Sequence, residues 1–148
     1  MARLLLFGAL ALAAAANAGA AGRAPSVRCK PSQLTVSVRT QGVATTAWIG
    51  VTVRNPGAAC SLGGSVVFTI EQAGRRAAVN GNPLKRPVQG LLGRGHTRLV
   101  KAGWSKWCGT RRQLKLVVRY AGVTRRTTFD VLPVCIDRRR VSRLAPID

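Results

Sequence analysis

The sequence predicts an all-β protein, a β-sandwich of about seven strands tied by two disulfides. Three observations predict it. Apolar and polar residues alternate at period two in most segments, and beyond the N-terminal region no stretch sustains a 3.6-residue apolar period. Clusters rich in Gly, Asn and Pro punctuate the alternating runs. The four cysteines, Cys29, Cys60, Cys108 and Cys135, lie too far apart in the chain, and too far from His96, for zinc-ligand spacing.

The elements follow in order. Leu34, Val36 and Val38 alternate with Thr35, Ser37 and Arg39, giving a first strand. Ile49, Val51 and Val53 alternate with Gly50, Thr52 and Arg54, giving a second, which ends at the Asn55-Pro56-Gly57 turn. Val66, Phe68 and Ile70 alternate with Val67, Thr69 and Glu71 in the third. Ala73-Gly74 then forms a two-residue hairpin loop into a short fourth strand, Ala77–Val79, ended by Asn80-Gly81-Asn82-Pro83. Lys85–Gly95 is expected to be a long connection, and Thr97–Ala102 a fifth strand. Leu114, Leu116, Val118 and Tyr120 mark the sixth, and Ala121-Gly122 turns it into a seventh marked by Val123, Phe129 and Val131. Short strands at this spacing fit an immunoglobulin-like sandwich, with a small barrel as the alternative.

Met1–Ala20 has the form of a secretory signal peptide. Arg3 supplies the positive charge, Leu4–Ala16 an uncharged apolar run shorter than the ~20 residues that span a bilayer, and Ala16-Asn17-Ala18 or Ala18-Gly19-Ala20 a cleavage site. An uncleaved anchor is the competing reading. The expected product is an exported chain with a single sandwich domain over residues 27–147, secreted or held at the cell envelope. In that setting an even number of cysteines implies disulfides.

Strand parity selects the pairing. If each strand reverses direction, Cys29, before the first strand, and Cys60, between the second and third, fall at one end of the sandwich. Cys108, between the fifth and sixth, and Cys135, after the seventh, fall at the other. A seven-residue strand spans roughly 23 Å at ~3.3 Å per residue, whereas a disulfide needs Cα atoms within about 7 Å. Cys29–Cys60 with Cys108–Cys135 is therefore the connectivity that keeps each bond at one end.

The stretch Val51-Thr52-Val53-Arg54-Asn55-Pro56-Gly57-Ala58-Ala59-Cys60-Ser61-Leu62-Gly63-Gly64 resembles the V-x-L-x-N-x-G-x-x-C-x-L-x-G core of the actinobacterial secreted domain-of-unknown-function 4232 family. Leu92-Gly93-Arg94-Gly95, Trp104 with Cys108, and Val134-Cys135 with Pro146 resemble its later motifs, so that the likeness runs over about residues 27–147. The chain departs from that pattern at Ser65-Val66, where an aromatic-Pro pair is usual, at Arg94, where Pro is common, and in its heavy basic charge. The resemblance implies an exported β-sandwich and brings no assigned activity.

The side chains for most catalysis are scarce. One His and four carboxylates serve 148 residues, which excludes most acid–base and metal chemistries. His96 reads as a surface residue. Asp130 is its conceivable partner, but no Ser sits in a G-x-S-x-G elbow. Glu71 and Asp130 form a glycosidase-like pair only if they meet; otherwise each pairs with an Arg on its own face. The glycines of Gly90–Gly95 match neither a dinucleotide fingerprint nor a phosphate loop. No cofactor and no metal site is expected, and the chain is expected to be no enzyme.

Charge is the unusual signal. Lys and Arg number 24 against the four carboxylates, a net +20. Arg-rich composition accounts for the choice of Arg over Lys but not for the missing acids. Two explanations stand: solubility charge of an Arg-rich composition on an accessory or structural envelope domain with no ligand, and contact with an extracellular polyanion such as a cell-wall polymer, an acidic glycan or, less expected outside the cell, nucleic acid; a hydrolase is the further alternative. Since neighbouring strand residues face opposite ways, the doublets Arg75-Arg76, Arg111-Arg112 and Arg125-Arg126 are expected at strand ends. Parity gathers Arg39, Arg75, Arg76, Lys101, Lys106, Arg111, Arg112, Arg138, Arg139 and Arg140 at one pole. Trp104 and Trp107 adjoin it and have two readings, a stacking platform for ligand or packing on the disulfide and core. Trp48, out of phase with Ile49, Val51 and Val53, is a further stacking candidate.

Overall fold

The computed structural model describes residues 27–139 and 141–148. The expected signal segment Met1–Ala20 and Arg140 lie outside the described residues. The strands are β1 (Thr35–Val43), β2 (Thr46–Arg54), β3 (Cys60–Leu62), β4 (Ser65–Gln72), β5 (Arg75–Arg76), β6 (Leu84–Pro87), β7 (Gly90–Leu92), β8 (Thr97–Ser105), β9 (Leu114–Tyr120), β10 (Val123–Thr128) and β11 (Arg143–Pro146). Among the described residues the only helical element is a single 3₁₀ turn, Pro31–Gln33.

Two antiparallel sheets carry the fold. One has the order β1-β2-β8-β11; the other has β10-β9-β4-β5, with β6 also paired to β4. A small third ladder joins β3 to β7. The inward residues of the period-two runs, including Val36, Ile49, Val51, Val53, Val66, Phe68, Ile70, Leu116 and Val118, form one buried cluster between the two large sheets. This is a sandwich and not a closed barrel. Burial of these alternating side chains is what fixes the register, since a one-residue slip would turn each to solvent.

Both expected Ala-Gly hairpins form. Ala73 and Gly74 have φ of 50° and 76°, and Ala121 and Gly122 have 47° and 80°. Two successive left-handed residues are what a twisted two-residue hairpin loop requires. The Cys29–Cys60 and Cys108–Cys135 disulfides form as parity demands, at opposite ends of the sandwich.

Several expectations are corrected. Ala77–Val79 is not a strand: the β5 ladder with β4 ends at Arg76, the Ala77 amide still donates to the Ile70 carbonyl at 2.9 Å, and β4 is paired again on that edge only by β6. Asn82 takes the place of a strand there, its carboxamide accepting from the Ile70 amide at 3.1 Å and donating to the Ile70 carbonyl at 2.9 Å. Lys85–Gly95 is not a plain connection but contains β6 and β7. The first strand runs on to Val43 and turns through Ala44, the fifth reaches Ser105, and the last ends at Thr128, short of Phe129 and Val131. After Cys135 the chain returns as β11 along β8.

Arg125-Arg126 lies in the middle of β10, not at a strand end. The cost of turning one guanidinium inward is avoided because β10 is an edge strand. Arg125 reaches across the sandwich rim, and its Nε donates to the Val36 carbonyl of β1 at 3.0 Å.

Candidate polyanion-binding surface

The pole that parity anticipates lies at the end where β1 turns into β2, β8 into β9, and β10 into the segment before β11. Arg75, Arg76, Arg111, Arg112, Arg138 and Arg139 are all exposed there, and Lys106 is half-buried. Arg39 and Lys101 do not belong to it. Both stand mid-sheet, opposite Gly50 in the ladder β1-β2-β8, because β1 and β8 are longer than their apolar alternation signals.

Three of the four carboxylates are near the pole. Glu71 is opposite Arg76 and Lys115 in register. Asp130 accepts from Thr40 Oγ1 at 3.5 Å, and Asp137 accepts from the Arg139 amide at 2.9 Å. Glu71 and Asp130 thus have different neighbours. The fourth, Asp148, forms an ion pair with Arg86 at 3.2 Å.

Cations missed by the parity argument extend the surface. Strand register puts Lys85, Arg119, Lys115 and Arg126 on the solvent face of the β10-β9-β4 sheet, with Arg76 and Glu71 on the same face. Face assignment needed the register of β6 and β10, which sequence alternation alone did not supply. Pole and face are continuous through Arg76 and Lys115. Guanidinium groups dominate, and their planar donor forks suit carboxylate, sulfate and phosphate oxygens.

Trp104 and Trp107 are not stacking platforms. Trp104 is fully buried and Trp107 is 9 % exposed. Their ring centroids are 5.3 Å apart, and Trp104 packs on Phe129 at 4.7 Å. The Trp104 indole donates to Ser142 Oγ at 2.8 Å, and Ser142 donates on to the Ser105 carbonyl at 3.0 Å. A side chain of this size gains most from burial once its one N–H is satisfied. The two rings therefore close the core beneath the pole. Apolar contact at the surface there comes from Val134, Ile136 and Val141, which are exposed beside Arg138 and Arg139. Trp48 differs from both: it is half-buried and lies on the outer face of the β1-β2-β8 sheet.

His96 is exposed at the opposite end, beside Gly93. Among the described residues no three His, Cys, Asp or Glu side chains are placed to share a metal ion. Compared with known proteins, the chain matches no family model, no curated protein and no solved structure.

Proposed function

We propose that this chain is an exported, non-catalytic domain that binds anionic polymers of the cell envelope or extracellular space through its basic surface. The observation that carries the proposal is the cation excess: 24 Lys and Arg against four carboxylates, with eleven of the described cations on one pole and the adjoining sheet face. Unpaired cations destabilise a compact fold by mutual repulsion, and a polyanion relieves that repulsion. The apolar run at Leu4–Ala16, the two disulfides and the resemblance to a secreted β-sandwich family support export.

Binding of this kind works by release of counterions condensed on the polymer, so affinity falls log-linearly with salt. Exposed guanidiniums within about a Debye length of one another, ~8 Å at physiological salt, act together. The test is elution from immobilised heparin across a salt series, wild type against R138Q/R139Q/R140Q. The wild type is expected to elute above physiological salt and the variant earlier. Co-elution of the two, or elution of the wild type below physiological salt, would show the charge to be solubility charge.

A further inference from the structure

The outer face of the β1-β2-β8 sheet holds a feature that charge alone does not explain. Three successive rows cross it in register: Gln41–Trp48–Gly103, Arg39–Gly50–Lys101 and Ser37–Thr52–Leu99. Gly50 has no side chain to occupy the centre of the middle row, and the indole fills that place. A Cβ at Gly50 would meet Trp48 Cζ3 at 2.8 Å and Cη2 at 3.0 Å. The six-membered ring therefore lies along the sheet instead of standing off it, and Leu99 Cδ1 approaches the same point at 3.5 Å. The result is an open groove of about 600 Å³, lined by Ser37, Arg39, Gln41, Trp48, Thr52 and Leu99 around Gly50. That volume is within the ~300–1,000 Å³ range of small-ligand sites.

We infer that this groove binds a segment of acidic polysaccharide, with a sugar ring stacked on Trp48 and carboxylates of the chain meeting Arg39 and Lys101. The chemistry is complementary part by part. The C–H face of a pyranose is apolar and flat, and an indole laid along a sheet offers the matching surface. Ser37, Gln41 and Thr52 supply hydroxyl and amide groups for sugar hydroxyls. Arg39 lines the groove, Lys101 stands across Gly50 from it in register on the neighbouring strand, and no carboxylate is present in the three rows. A single-stranded nucleic acid fits less well, because its successive bases need successive aromatic platforms. The other two tryptophans, and Tyr120 and Phe68 with them, are buried.

This inference rests on the polymer-binding reading and gives it a place and a ligand class. The experiment titrates the protein with a defined oligogalacturonate, which carries carboxylates and no sulfate. Affinities of all variants are read by titration calorimetry, and the place of binding in the wild type by acrylamide quenching of tryptophan emission, in which Trp48 is the accessible contributor. The expected result is protection of Trp48 on binding and at least tenfold weaker binding for W48A. W48F should recover part of the loss, G50V should bind as poorly as W48A, and an uncharged cello-oligosaccharide should bind at least tenfold more weakly. Thermal midpoints near wild type establish that the variants are folded. Undiminished oligogalacturonate binding by W48A overturns the groove while leaving polymer binding through the pole intact, as does heparin retention with no oligogalacturonate binding. Tighter, Trp48-dependent binding of oligothymidylate overturns the sugar assignment. Failure to bind heparin and oligogalacturonate alike overturns both readings.

Discussion

Replacing Asn55 with Ala should destabilise the sandwich far more than one small polar side chain ordinarily would. Asn55 is fully buried where β2 leaves its sheet. Its Nδ2 donates to the Ala58 carbonyl at 2.8 Å and the Leu92 carbonyl at 3.0 Å. Its Oδ1 accepts from the Gly57 amide at 3.0 Å and from Gln33 Nε2 at 3.1 Å. One side chain thereby joins the 3₁₀ turn, the β2–β3 connection and β7. A net ~0.5–1.5 kcal/mol per hydrogen bond, with a further penalty for buried partners left unsatisfied, gives roughly 3 kcal/mol. For a domain of this size that is a fall in Tm on the order of 10 °C. Asn55→Asp tests the direction of the bonds. It preserves volume and the Oδ1 contacts but points a carboxylate oxygen at two carbonyls, and should be no more stable than the alanine variant at neutral pH. The assay is urea denaturation of the oxidised proteins, followed by circular dichroism. A loss below about 1 kcal/mol for N55A, or an N55D variant as stable as wild type, would refute the reasoning.

Three other outcomes are expected. Trp104→Ala should cost about 3–5 kcal/mol in urea denaturation, whereas Trp48→Ala, on the outer face, should stay within ~1 kcal/mol. Limited dithiothreitol should open Cys108–Cys135 first, because Cys108 and Cys135 are exposed while Cys29 and Cys60 are 9 % and 2 % exposed; peptide mapping after alkylation reads the order. The phenol of Tyr120, the chain's one tyrosine, is pushed above its ordinary value of 10.0 by burial, partly opposed by a hydrogen bond from the Gly63 backbone. The folded state holds that proton more tightly than the unfolded state does. Its contribution to stability is therefore complete below about pH 10 and is lost as pH rises through the folded value. Phenolate absorbance should appear at higher pH in native than in urea-unfolded protein, and coincident curves would contradict the burial argument.

The strands legible in the sequence are those with one buried and one wet face. Val36, Ile49, Val66, Phe68 and Leu116 repeat at period two because each must reach the same core. The Ala-Gly hairpins were legible through φ, and the disulfides through parity. What escaped has physical reasons. The far half of β1, Thr40 to Val43, has Thr40 and Gly42 at inward positions, so alternation fades although pairing continues. β6, β7 and β11 are three or four residues long and are held by partners distant in the chain, which no local pattern records. The placement of Arg125 depended on one carbonyl, that of Val36, lying within reach of an edge strand. The charge total was plain from composition, but its distribution was not. Arg39 and Lys101 moved off the pole because β1 and β8 are long, and four cations of the β10-β9-β4 sheet became visible as a surface only through register. For Trp104 the deciding fact is Ser142, which satisfies the indole N–H from a segment 38 residues away.

The central claim is that the unpaired cations form a binding surface, and the salt dependence of a binding constant tests it most directly. Affinity of the wild type for a defined heparin oligosaccharide, measured by titration calorimetry at several sodium chloride concentrations, should fall linearly on a log–log plot. R138Q/R139Q/R140Q should lower the slope by up to about three units, roughly one per lost contact, with a denaturation midpoint within ~0.5 kcal/mol of wild type. No measurable binding at physiological salt, or a slope unchanged in the variant, would contradict the account.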